Sequence, residues 1–86
     1  MRSHASKQFW QLYRKLPPRI RRLALKQYRL WVADHRHPSL QFKRVGGGYW
    51  SARITNDYRA LGTVVGDTVV WFWVGTHAEY DRLLKG

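Results

Sequence analysis

The sequence predicts an α+β fold: a helical hairpin packed on a four-stranded antiparallel sheet, with a short C-terminal helix. Three observations carry that prediction. Apolar residues recur at helical spacing as far as Val32 and with a period of two from Leu40 onward. The pair Pro17-Pro18 interrupts the helical half, and Gly66-Asp67 separates two strand-like runs. With 86 residues the chain has room for one core, so residues 1–86 are read as a single domain.

The first helix begins after Ser6, with Phe9, Leu12, Tyr13 and Leu16 on one face. Pro17-Pro18 ends it, because proline disfavours helical conformation in the residue before it and has no N–H to donate. Pro18 then suits the first position of a second helix, where a missing N–H costs nothing. That helix spans about residues 18–34, with Ile20, Leu23, Ala24, Tyr28, Trp31 and Val32 as its apolar stripe. Residues 35–39 break the periodicity and read as a loop.

Leu40 and Phe42 alternate with Gln41 and Lys43, which predicts a strand ending at Gly46-Gly47-Gly48. In the next strand, Trp50, Ala52 and Ile54 share one face while Ser51, Arg53 and Thr55 share the other. Asn56-Asp57 is a short turn into a strand over 58–65, and Gly66-Asp67 is a two-residue hairpin connection. The strand over 68–75 is apolar on both faces, so it belongs inside the sheet. Thr76-x-x-Glu79 is a capping-box pattern, opening a helix that buries Tyr80, Leu83 and Leu84. The predicted order is ααββββα.

Sixteen Lys and Arg against five acids give a net charge of +11. Such a surface repels itself, and a polyanionic or acidic partner relieves the repulsion. Nucleic acid, a ribonucleoprotein or an acidic protein is therefore the expected partner. The chain has no cysteine, which excludes disulfides and thiolate chemistry and suits a reducing compartment. Residues 1–10 lack the apolar run of a signal peptide, and the longest apolar run, residues 69–74, is too short to cross a bilayer. A cytoplasmic protein without a membrane partner is expected. His35 and His37 have no cysteine or carboxylate beside them to complete a metal site, and Gly46 to Gly48 lacks the Lys-Ser/Thr of a phosphate loop. No metal, other cofactor or small-molecule ligand is expected.

Several segments in this order resemble the RelE/ParE superfamily of bacterial type II toxin–antitoxin toxins. They are Leu40-Gln41-Phe42-Lys43, Trp50-Ser51-Ala52-Arg53-Ile54, Tyr58-Arg59-Ala60-Leu61 and the run from Trp73 to Asp81. The stretch from Phe9-Trp10 to Leu16-Pro17 is similar to the first helix of these toxins. The resemblance implies a RelE-like fold. One departure stands out: many members begin with a strand, and here only residues 1–5 precede the first helix. That strand is expected to be absent or vestigial, leaving a sheet edge for an antitoxin to cover.

Toxins of the RelE type cleave messenger RNA in the ribosomal decoding site, by attack of a 2′-hydroxyl on the adjacent phosphate. The resemblance puts Arg59 beside the scissile phosphate, where a guanidinium can fork two oxygens in a fixed plane. Arg53 lies across the Asn56-Asp57 turn, where paired strands can bring both arginines to one groove. His77 occupies a position that is basic in many relatives and suits a general acid near neutral pH. Its place in the first turn of a helix opposes its protonated form. Lys43, with Arg44 beside it, is assigned to phosphate binding. Tyr80 resembles a tyrosine that stacks on RNA or donates a proton, although its spacing from His77 is shorter than in familiar members. Packing beside Leu83 and Leu84 is its competing role.

The resemblance therefore implies a ribosome-dependent mRNA endoribonuclease that needs no metal, partnered by a cognate acidic antitoxin. A poison of the ParE type, binding DNA gyrase without chemistry, shares the same scaffold. A non-catalytic nucleic-acid-binding domain is the reading that charge alone supports.

Overall fold

Pro17-Pro18 ends one helix and begins another, as the sequence requires. The computed structural model describes residues 1–85. Its elements are β1 (Arg2–Ala5), α1 (Lys7–Arg14), α2 (Pro18–Ala33), β2 (Lys43–Arg44), β3 (Trp50–Thr55), β4 (Tyr58–Val65), β5 (Thr68–Thr76) and α3 (His77–Lys85). Ser6 caps α1 by accepting from the Phe9 N–H at 3.2 Å. Arg21 closes the helical hairpin by donating to the Leu16 carbonyl at 2.9 Å.

The sheet has five strands in the order β1-β5-β4-β3-β2, not four antiparallel ones. The added strand is β1, which pairs with β5 in parallel, from Arg2 opposite Thr68 to Ala5 opposite Trp71. Its four residues are too short and too polar to announce a strand by periodicity. What makes it a strand is β5, whose outer edge offers unpaired backbone groups. Ser3 reinforces the seam: its hydroxyl oxygen accepts from Trp71 Nε1 and from the Tyr28 hydroxyl, both at 3.1 Å. The edge expected to stand open beside β5 is thus covered by the chain itself.

The strand expected from Leu40 shrinks to Lys43–Arg44. Pro38–Leu40 forms a 3₁₀ turn, and Gln41 follows in the left-handed region at φ 44°. His37 sets this turn by accepting from the Ser39 N–H at 3.2 Å. Leu40 and Phe42 still face inward, so the apolar alternation recorded burial without an extended backbone.

One face of the sheet carries the larger core. Leu16, Ile20 and Trp31 from the hairpin meet Leu40, Ala52, Ile54, Ala60, Val69, Trp71 and Val74. Trp31 and Trp71 meet edge to face at 5.8 Å, and Phe42 lies within 6 Å of both. Such aromatic pairs add about 0.5–1.5 kcal/mol each beyond their buried area. Tyr28 and Val32, read as part of the buried stripe of α2, are 42% and 61% exposed. Tyr28 instead helps to line an apolar groove of about 360 Å³ between the hairpin and the sheet, with Phe9, Trp10, Leu25 and Trp31.

The opposite face carries a second, smaller core of Leu61, Trp73 and Tyr80. It exists because β5 contains a bulge. Leu61 pairs with Trp73 and Gly62 with Trp71, so Phe72 is the extra residue. Strict alternation would put Trp71 and Trp73 on the same face; the bulge sends Trp73 to the other. There α3 packs, with Tyr80 buried and Leu84 against the cluster, while Leu83 is 50% exposed and not part of the buried side.

Ser3→Ala tests the corrected sheet. Removing the shared acceptor leaves Trp71 Nε1 without its partner, and stability should fall by about 1–2 kcal/mol. Urea unfolding monitored by tryptophan fluorescence measures it, and an unchanged midpoint would mean that Ser3 does not hold β1 in place.

Candidate functional site

Arg53 on β3 and Arg59 on β4 stand directly opposite each other in the antiparallel register. Residues so paired point to the same face, here the one carrying Ser51, Leu61 and Trp73. Like charges directly opposite repel, so local acceptors must hold the pair. The turn between the two strands supplies them. Arg59 Nη1 donates to the carbonyls of Thr55, Tyr58 (3.0 Å) and Asn56 (3.4 Å). Arg53 Nη2 donates to Asn56 Oδ1 at 2.7 Å. With Nη1 committed, Arg59 keeps Nε and Nη2 for a ligand.

Burial, and then Arg53 alongside, pull the Arg59 pKa below its ordinary value, with Tyr80, Asp81 and Asp57 opposing the change. An arginine remains a cation at neutral pH under such a shift. The physical content is an under-neutralised positive centre, one that gains from an anion.

The first turn of α3 lies beside this pair. Thr76 caps the helix: its hydroxyl accepts from the Glu79 N–H at 3.2 Å, and Glu79 accepts from the Thr76 N–H at 3.0 Å. The anticipated capping box is therefore formed. The His77 backbone N–H reaches the Asp57 carbonyl at 2.7 Å, tying α3 to the turn that holds the arginines. The His77 ring lies 5.5 Å from that of Tyr80, and its Nδ1 is 3.0 Å from Asp81 Oδ2. Tyr80 is buried, with its hydroxyl 3.1 Å from Ser51 Oγ. The Tyr80 hydroxyl is thus turned inward, towards Ser51.

Lys43 pairs with Ser51 and so faces the same side as Arg53, one pleat away. Arg44 pairs with Trp50, whose ring meets that of Phe42 at a tilt, 5.0 Å apart, on the helical side. Arg44 therefore stands across the sheet from the other basic groups. The fold brings together Arg53, Arg59 and His77, sets Lys43 at the margin and leaves Arg44 out.

Sequence reasoning missed Asn56, which engages both arginines, and Asp81, which engages His77. Asp81 carried a signal, four residues beyond His77 on a helix. Asn56 had none beyond its place in the turn. Arg19 was also missed: it joins Arg53, Asn56 and Asp57 around a shallow cleft of about 470 Å³ at the start of α2. Only tertiary packing puts it there. His35 and His37 are engaged locally, His35 against Trp31 and Phe42 and His37 with Ser39. Among the described residues no three His, Cys, Asp or Glu gather as a metal site would require, and no helix is long and apolar enough to cross a membrane.

Comparison with known proteins points in one direction. The profile described as ParE-like toxin domain matches residues 18–82. A YoeB/ParE toxin from Agrobacterium tumefaciens superposes with a TM-score of 0.68 at 20% identity, covering 90% of this chain and 99% of that one. The RelB–RelE antitoxin–toxin complex from Methanococcus jannaschii gives 0.68 at 24% identity, covering 92% and 96%. YafQ from Escherichia coli gives 0.68 at 17% identity, covering 93% and 98%. At these identities the likeness is one of fold. A comparison with curated protein sequences finds no match.

The cap of α3 makes a pH prediction. Hydrogen bonds from the Thr76 backbone and side chain lower the Glu79 pKa. A carboxylate whose folded pKa is depressed stabilises fully above its unfolded value and loses that contribution as pH falls through the folded one. Wild type should therefore exceed Glu79→Gln in urea midpoint at about pH 6, with the gap closing towards about pH 3. A gap that stays constant over that range would show that the cap does not depend on ionised Glu79.

Proposed function

Because the chain belongs to the ParE-like toxin domain family, within the RelE/ParE superfamily of toxins, we propose that it inhibits translation by cutting messenger RNA. The observation that carries this reading is the opposed pair Arg53 and Arg59, held by one turn, with His77 beside it. Strand cleavage by a 2′-hydroxyl passes through a pentacoordinate phosphate with added negative charge. Fixed guanidinium groups are worth most where that charge develops, since they need no reorganisation at the moment of reaction. Arg59 offers Nε and Nη2 to the non-bridging oxygens. Arg53, and Lys43 further out, hold the flanking phosphates. His77 supplies an imidazole that can donate a proton to the departing 5′-oxygen. Nothing in this scheme requires a metal or other cofactor.

The ribosome is the proposed setting, as the resemblance to toxins of the RelE type implies. A cognate antitoxin is the proposed partner. Solved structures of this fold include complexes with proteins named RelB. The groove between the hairpin and the sheet, with Trp10, Leu25 and Tyr28 exposed, suits the apolar stripe of an acidic amphipathic segment. Such a segment would neutralise part of the +11 charge while folding on the toxin. The lining of that groove extends to Arg53.

Binding DNA gyrase without chemistry is the second reading, and the family's description as ParE-like favours it. Primer extension on a defined message in a purified translation system separates the two. Wild type should produce new 3′ ends inside translated codons, only with ribosomes present, and Arg59→Ala should lower the rate by about 100-fold or more. An intact message with wild-type protein, together with inhibition in a gyrase supercoiling assay, would replace the ribonuclease reading by the second.

A further inference from the structure

The five acids of this chain are scarce, and one of them stands where an anion-binding site would least want it. Asp81 adjoins the Arg59 and His77 cluster, with its Oδ2 3.0 Å from His77 Nδ1. A carboxylate there weakens the attraction for phosphate unless it does something else. Its partner shows what that is.

The imidazole is fixed from several directions. The His77 backbone N–H is tied to the Asp57 carbonyl at 2.7 Å, which fixes where the side chain starts, and the ring leans on Tyr80 at 5.5 Å. Tyr80 is itself pinned through Ser51 and the core around Leu61 and Trp73. The His77 and Asp81 side chains remain 41% and 49% exposed, so the ring keeps an open edge. An ionised carboxylate can only accept, so Nδ1 carries the proton it shares with Asp81 and Nε2 is the ring nitrogen left for chemistry. A carboxylate in this position selects the tautomer, orients the ring and supports the imidazolium when it forms. Support is needed here, because a helix N-terminus disfavours a cation.

We infer that Asp81 is a positioning residue for His77, and that the pair delivers a proton through Nε2 to the oxygen that leaves when RNA is cut. The inference rests on the ribonuclease reading above. In the step, the 2′-oxygen bonds to phosphorus and the P–O5′ bond breaks, its electron pair going to O5′. O5′ takes the Nε2 proton, while the 2′-hydroxyl proton passes to solvent. The products are a 2′,3′-cyclic phosphate and a free 5′-hydroxyl, and water reprotonates His77.

The test compares two messages in the purified translation system, one ordinary and one with sulfur replacing the bridging 5′-oxygen at the cleaved linkage. A thiolate leaves without needing a proton. Asp81→Asn should cut ordinary RNA about 10- to 100-fold more slowly than wild type, and the sulfur-bridged RNA at nearly the wild-type rate. The double variant with His77→Ala should be no slower than His77→Ala alone, since both act through one proton. Asp81 is half exposed, so the folded state of Asp81→Asn should persist, as its amide NMR spectrum would show. Ordinary RNA cut at the wild-type rate by Asp81→Asn overturns the inference, and so does an equal loss on both substrates. If wild type cuts neither message, the ribonuclease reading falls, and nitrogen NMR of His77 judges the pair itself. A neutral ring held as the Nδ1–H tautomer in wild type but not in Asp81→Asn supports the positioning role, while an Nε2–H tautomer in wild type overturns it.

Discussion

The extra residue at Phe72 is the feature on which the rest of the structure depends. β5 must serve two cores, and an uninterrupted strand would turn Trp71 and Trp73 to the same side. The bulge leaves Trp71 under the helical hairpin and delivers Trp73 to the opposite face, where Leu61 and Tyr80 close around it. Two glycines accommodate the result. At Gly62, opposite Trp71, a Cβ would lie 2.9 Å from Val69 Cγ2; at Gly75, opposite Arg59, it would lie 2.6 Å from Trp73 Cζ2. Neither site has room for a side chain. The packing of α3 on the sheet follows from this second core, and with α3 come His77 and Asp81.

The arginine pair is the other consequence of register. Stability alone would not set two guanidinium groups opposite each other in a chain already carrying +11. Here the hairpin turn absorbs part of the repulsion by offering three carbonyls to Arg59 and the Asn56 side chain to Arg53. The remaining positive potential points out of the face that α3 borders. An anion there would offset a charge arrangement that the protein leaves unbalanced. The lining of the apolar groove extends to Arg53, so a partner lodged there would sit next to one member of the pair.

Much of this was legible in the chain. The proline pair, the Gly66-Asp67 connection and the Thr76-Glu79 cap are local signals, and each produced its element; the change of period near Leu40 marked burial, with the strand confined to Lys43–Arg44. Arg53 and Arg59 were predictable as a pair, because a short turn between two strands leaves little freedom in their register. His77 followed from the resemblance, at a position that is basic in many relatives. These features depend on neighbours within a few residues, and sequence periodicity reports such neighbours directly.

What the sequence by itself determined, then, was the helical hairpin, the β3–β4–β5 meander, the terminal helix and the basic residues that gather at the turn. Tertiary structure alone decided the rest. β1 is a strand only because β5, more than sixty residues later, offers it a ladder. The bulge at Phe72 reflects the demand of two cores on one strand, and no single run of residues records that demand. Arg44 left the cluster and Tyr80 turned its hydroxyl inward for the same reason: the face a side chain takes is set by the strand or helix it packs against, and that partner lies far away in the chain.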